Sequence, residues 1–260
     1  MTQSPTNKQQ EQHNNLNSID ESIARVQLAA AYRLMEHFGW NDLRFNSATV
    51  RVSGSDSHFL ISPNELIGDE VKASTLVKID SNGNLIEPSE FKVHKVGFFQ
   101  NSVIYAARPD ITAILHSHST YGSVVSALKT GLLPLDLPSM MFFNQIAYHD
   151  FEGIGINVEE GKRLVNKIGR DKFCVILRNH GLLVGGRSIA EAFMNLYFLE
   201  AACRTQVLSM STGAPLVQPP DESISVFLKT QAKLKQENAF VDFFESLIRM
   251  LDRMDSSYRD

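Results

Sequence analysis

Apolar positions along the chain change period several times, and each change marks an element. In IARVQLAAAYRLMEHFG (23–39) they recur at helical spacing. Ser18 and Asp20 stand upstream as caps and Gly39 as the stop, which predicts one long helix. From residue 44 the period shortens. RFNSATVRV and HFLISP, joined through GSDS, predict a hairpin; TLVKID, SNGN and LIEP predict a second one turning at Asn82-Gly83. KVGFFQNSVIYAARP reads as a helix ended by Arg108-Pro109, ITAILHSH as a buried strand, and STYGSVVSALKTG as a helix ending at Gly131.

LPLDLPSMMFFNQIAYHDFEG is aromatic and irregular. A helix over 158–169, the strand KFCVILRNHG, the short strand LLVGG and a long helix capped by Ser188 follow. After the Pro-containing linker GAPLVQPPDE the pattern is helical again. Residues 1–18 carry almost no apolar side chains and are expected to form a disordered tail. Without repeats or an internal linker, the pattern predicts one α/β domain over 19–212, with a helical extension over 213–260 packing on it.

Composition narrows this reading. The chain has 260 residues, 43% of them hydrophobic, enough for one large core. A net charge of −4 without a basic block gives nucleic-acid binding no electrostatic support. No run of about 18 apolar residues exists, so no membrane span is expected. The N-terminus lacks an apolar signal core, which points to the cytoplasm. Cys174 and Cys203 lie in apolar segments and read as buried free thiols. Neither G-x-G-x-x-G nor G-x-x-x-x-G-K-[ST] occurs, so no nucleotide cofactor is indicated.

The chemistry concentrates in three histidines. A strand alternates its faces, so His116 and His118 at the end of ITAILHSH project to one side. His180 ends a second apolar strand and is followed at once by Gly181, which lets the backbone come close to whatever the histidine touches. Three imidazoles leave open positions on a divalent metal, as catalysis requires. With eight histidines in the chain, the spacing alone is equally met by ordinary core or surface histidines.

The stretches FLISPNELIGDEVKASTLVKID, IYAARPDITAILHSHS, AYHDFEG and ILRNHGLLVGGRSIAEAF, in that order, resemble the class II aldolase/adducin family over about residues 22–256. The resemblance implies a three-layer α/β/α fold with a central, mostly antiparallel sheet. It implies one divalent metal per subunit on His116, His118 and His180, usually zinc, with iron(II) or manganese as alternatives. It also implies a homotetramer with sites between subunits. The activity implied is that of a carbon–carbon lyase, aldolase or decarboxylase in type, acting on a small hydroxy-carbonyl compound through a metal-stabilised enediolate. Two other readings go with the adducin-like branch: an iron(II)-dependent oxygenase, and a non-catalytic binding or assembly protein.

The sequence also departs from the family pattern. Gly97 and Asn101 stand where the aldolases keep a glutamate and a histidine. PSEFKVH (88–94) mimics that segment seven residues early, which makes Glu90 a candidate for proton transfer; Tyr148, His149 and Asp150 are others. Asn64 and Glu65 replace the Thr-Gly pair of the phosphate pocket. A glutamate there would repel a phosphate, so an unphosphorylated substrate is expected. Ser47, Arg51 and Asn64 are candidates for substrate binding, and Asn179 for support of a metal ligand. Trp40 is expected in the core.

Overall fold

The computed structural model describes residues 20–52, 57–93, 95–236 and 239–260. The expected N-terminal tail, the Ser18 cap, most of the GSDS turn and His94 lie outside them. Seven strands carry the fold: β1 (Ser47–Arg51), β2 (His58–Ile61), β3 (Val77–Asp80), β4 (Ala113–Ser117), β5 (Ile146–His149), β6 (Cys174–Leu177) and β7 (Gly181–Gly186). They form one sheet in the order β3-β2-β1-β4-β7-β6-β5. Only the β5–β6 pair is parallel.

Eight α-helices accompany them among the described residues. These are α1 (Glu21–His37), α2 (Lys95–Ala107), α3 (Thr120–Ser126), α4 (Leu137–Met140), α5 (Val158–Ile168), α6 (Ile189–Ser211), α7 (Asp221–Gln236) and α8 (Ala239–Met254). The side-chain alternation of the strands divides the core in two. Ala113, Leu115, Cys174 and Ile176 pack on the side of α1, α6 and α8. Ile114, Val175 and Leu177 pack on the side of α2 and α5. Helices on both faces explain why β4 and β6 read as continuous apolar runs. The result is the expected three-layer fold with a mostly antiparallel sheet. Both cysteines are buried and outside any disulfide, and Trp40 is in the core, stacked on Phe38.

Strand direction decides where the site lies. β4 and β6 both run antiparallel to β7 between them, so their C-terminal ends share one edge of the sheet. The start of β1 joins them there, since Ser47 pairs with His116. Asp20 caps α1, accepting from Ser22 N at 2.8 Å, and Ser188 caps α6 through Glu191 N at 3.0 Å.

Three expectations need correction. LIEP adds no strand: Leu85 makes only an isolated bridge to Ile79, and Pro88 has no N–H to extend a ladder on this edge. The helix after His118 stops at Ser126 rather than Gly131. Ala127 N and Leu128 N bond three residues back, to Val124 O and Val125 O, which tightens and closes the last turn. The aromatic middle segment is not wholly irregular either. It holds α4, capped by Asp136, and β5, whose four residues are too few to show a period.

Candidate metal centre

The two strand ends bring three imidazoles together. His116 ends the ligand-facing row of β4, His118 follows one residue past the strand, and His180 sits in the turn between β6 and β7. Their ring centroids are 4.7–4.9 Å apart, and one nitrogen of each lies within 4.8 Å of the others. This turn holds its shape through Asn179, which adopts φ +56°, a conformation asparagine tolerates. Asn179 is exposed, and its backbone N–H donates to Ser126 O at 3.3 Å. Gly181 serves a different purpose: a β-carbon there would run into the Ser117 carbonyl.

Hydrogen bonds orient two of the rings. His116 Nδ1 lies 2.9 Å from Leu182 O, which can only accept, so Nδ1 carries the proton and Nε2 a lone pair. His118 Nδ1 lies 3.4 Å from an Asp42 carboxylate oxygen. The two Nε2 atoms face each other at 2.9 Å. Three imidazole nitrogens gathered this closely at the end of a cavity form a donor set that fits a divalent metal. Burial first, then the neighbouring imidazoles, hold His116 down at about 3; burial and His118 hold His180 at about 4. Both are therefore neutral, as ligation requires.

Asp42 stands behind His118 as a carboxylate that orients a ligand ring. Asp42→Ala is expected to weaken metal binding about tenfold, the low end for such partners because the contact is long and exposed. Competition with a chromophoric chelator would measure it; an unchanged affinity would remove Asp42 from the site.

A second carboxyl group, this one buried, supports the same loop from below. Glu200 of α6, only 4% exposed, accepts from Ser119 Oγ at 2.5 Å and Gly122 N at 3.0 Å, which fixes the turn leaving His118. Burial pushes this carboxyl up to about 7, against the pull of those two hydrogen bonds. The folded protein therefore keeps a proton on Glu200 that the unfolded chain releases near its ordinary value of 4.5. Stability from this group is full at low pH and falls as pH rises from about 4.5 to 7, by on the order of 3 kcal/mol. Urea unfolding of wild type and Glu200→Gln at several pH values should show the difference between them changing in that window and flat above it. Parallel pH profiles would contradict the assignment.

A cavity of about 200 Å³ opens beside the histidines. Arg44, Phe45, Asn46 and Ser47 line it, with Ser62–Asn64, then Val96, Gly97 and Gln100 of α2, and the loop Gly153–Gly155. Among the described residues no aspartate, glutamate, lysine or tyrosine lines it. The structure thus places Ser47 and Asn64 with the triad. Arg51 is four residues further along β1, its guanidinium stacked on Phe59 and Tyr105 and donating to Tyr105 O at 2.9 Å.

Glu90 is not brought to the histidines either. It lies ahead of α2, which starts only at Lys95. It lines a separate cavity with Arg25 and Phe91. Tyr148 packs against α6, accepts from Leu132 N at 2.9 Å and sits under Arg178. His149 is buried against Glu160, and Asp150 is exposed. Gly97 does line the cavity, but Asn101 is buried and donates to Thr49 Oγ1 at 3.2 Å; Gln100 takes the lining position beside it.

Glu65 also departs from expectation. Its carboxylate accepts from Lys92 N at 3.2 Å and does not line the cavity, so the electrostatic argument against a phosphorylated substrate loses its basis. Sequence reading missed Arg44, Asp42, Gln100 and Glu200. Only Glu200 left a signal: an acid at helical spacing from the apolar Phe193, Leu196 and Cys203.

A model of the Class II Aldolase and Adducin N-terminal domain matches residues 26–207. A Caulobacter vibrioides protein carrying an aldolase class 2 name is 39% identical over 237 residues, 91% of this chain and 92% of that one. Alpha-adducin of Rattus norvegicus is 42% identical over 198 residues, 75% of this chain but 27% of the adducin. A crystal structure of an aldolase II superfamily protein from Pseudomonas syringae superposes with a TM-score of 0.89 at 40% identity, covering 96% of this chain and all of that one. An L-fuculose 1-phosphate aldolase from Glaciozyma antarctica PI12 shares the fold, with a TM-score of 0.79 at 24% identity and coverage of 99% and 97%.

Proposed function

The chain belongs to the class II aldolase and adducin family, and from that premise we propose that it is a metal-dependent carbon–carbon lyase acting on a small hydroxy-carbonyl compound. One observation carries the reading: three imidazoles converge at one end of a small cavity, with one nitrogen of each within 4.8 Å of the others. His116, His118 and His180 would hold one divalent ion, zinc as the leading choice. When bound, such an ion supplies Lewis-acid stabilisation to negative charge on adjacent substrate oxygens.

The chain's own residues contribute position. Leu182 O and Asp42 orient two of the rings, and Glu200 holds the turn behind them. Asn46 accepts from His118 N at 2.9 Å through Oδ1, which leaves its amide N–H groups to donate elsewhere. Ser47 Oγ is buried, lines the cavity and has no hydrogen-bond partner among the described residues. It is placed to bond a substrate oxygen.

A cytoplasmic homotetramer with sites between subunits completes the proposal. Phe45 and Ile154 line the cavity while 59% and 82% exposed, and Phe151, 53% exposed, lies with its ring 6.4 Å from that of His180. A second copy covering this apolar rim would remove it from water and bring further side chains to the mouth. That supplies a route to the proton carrier, since among the described residues no carboxylate or phenol lines the cavity of one chain.

Gly97 in the cavity wall favours one rival reading, an iron(II) oxygenase, because oxygen activation needs open metal positions more than a general base. Metal-loaded protein incubated with small hydroxy-carbonyl compounds in deuterated water separates the two. Metal-dependent deuterium uptake at the carbon beside the carbonyl, or cleavage of that C–C bond, is expected. Oxygen consumption without exchange would move the assignment to the oxygenase.

A further inference from the structure

A second cleft lies away from the histidines, at the β3 edge of the sheet. It measures about 710 Å³, within the range of ligand clefts, and shares no lining residue with the histidine cavity. Arg25 and Val26 of α1 line it, with Leu76 to Lys78 at the start of β3 and the segment from Glu87 to Phe91. We infer that this cleft is a docking site for an extended, basic segment of another protein, which adds to β3 as one more strand.

The backbone of the edge points to a strand. β3 ends the sheet and pairs with β2 on its inner side. On its outer side Ile86 N donates to Lys78 O and Asp80 N to Asn84 O, each at 2.9 Å. Pro88 then ends that run. In a strand the N–H and C=O of one residue point the same way, and alternate residues share that direction. Leu76 N and Lys78 N therefore face the cleft, and among the described residues neither donates to another backbone carbonyl on this side. Leu76 O is already engaged, accepting from Arg25 Nη1 at 2.7 Å. The open groups are thus two donors, two residues and about 6.6 Å apart. The oxygens of one carboxylate or phosphate do not span that distance, whereas alternate carbonyls of a strand match it.

Charge selects the kind of strand. The cations at the cleft are paired: Arg25 and Lys78 with Glu21, and Arg259 with Asp252. Its acids are far less committed. Glu90 is exposed and forms no ion pair among the described residues, and Glu87 reaches Lys78 only at 3.9 Å. Lysine or arginine side chains on an incoming strand complement these two carboxylates. This chain, with 25 basic against 29 acidic residues and no basic block, does not supply such a segment from a second copy.

A blocked, fluorescently labelled heptapeptide alternating lysine and valine provides the test, with binding to the full chain read by anisotropy. The same peptide with glutamate for lysine should bind at least tenfold more weakly. N-methylation at every residue, which removes the N–H groups and blocks both edges of the peptide, should also weaken binding at least tenfold. Amide hydrogen exchange should slow at Leu76 and Lys78 when the parent peptide is added. Glu87→Gln/Glu90→Gln should weaken binding several-fold, while Glu159→Gln, which removes an exposed acid elsewhere on the surface, should leave it unchanged. No binding at millimolar peptide would overturn the inference. So would equal binding of the glutamate or N-methylated peptide, unchanged exchange at both amides, or an equal loss in Glu159→Gln.

Discussion

Alanine at position 116 is expected to abolish tight metal binding and all activity of the cavity while the chain still folds. His116 is the ligand held most firmly: it is paired across β4 and β1 with Ser47, and its Nδ1 is bonded to Leu182 O at 2.9 Å. Removing it leaves two imidazoles, of which His118 lies past the end of its strand. Structural zinc sites with four ligands bind with roughly 10–16 kcal/mol, or about 3 kcal/mol per ligand, so one ligand lost is worth on the order of a hundredfold or more in affinity. The fold should tolerate the change, because His116 is half-buried at a cavity wall and alanine leaves a space open to water rather than a sealed void. Chelator competition and circular dichroism would be read together. A variant that keeps wild-type affinity would remove the triad from any role in metal binding.

Gly181→Ala should be the most damaging single methyl added near the site. The new carbon runs into the carbonyl oxygen of Ser117 and comes within 3.3 Å of His118 Cδ2. Ser117 is the residue between His116 and His118, so the collision falls on the ligand segment itself. Backbone cannot rotate aside as a long side chain can. The β4–β7 pair would have to open at the Ser117–Leu182 end of its ladder. Overpacking of this kind costs about 1–3 kcal/mol, and metal affinity should fall at least tenfold through displacement of His118 and His180. Gly161→Ala is a useful control. It presses on Val103 at 3.1 Å, between α5 and α2, and should change stability without changing metal affinity. Metal affinity of Gly181→Ala equal to that of the control would show that Gly181 only serves packing.

How much of this could be read from the chain depends on the kind of signal each residue leaves. His116 and His118 were legible because strand alternation fixes their common side, and His180 because it ends an equally apolar run. The central strands were legible for the same reason: buried on both faces, they are continuous in the sequence. β5 was not, since its four residues carry no period and its place is set by parallel pairing with β6. The cavity wall opposite the histidines comes from segments far apart in sequence: the approach to β1, the exit of β2, α2 and the Gly153–Gly155 loop. Nothing local marks Arg44 or Gln100 as neighbours of His118. Glu65 shows the converse failure. Position suggested a repulsive carboxylate in the site, but a single hydrogen-bonding partner, Lys92 N, turns it out. Glu90 shows that a motif match does not by itself place a side chain: it lies ahead of α2 and lines a separate cavity.

The central claim is that this chain is a metalloprotein through His116, His118 and His180. Metal content of the wild-type protein, purified anaerobically without a histidine tag and measured by mass spectrometry, tests it most directly. About one divalent ion per chain, zinc first among the expected ions, is the predicted result. Wild-type protein that carries no metal, and takes none up when zinc, manganese or iron(II) is added, would contradict it.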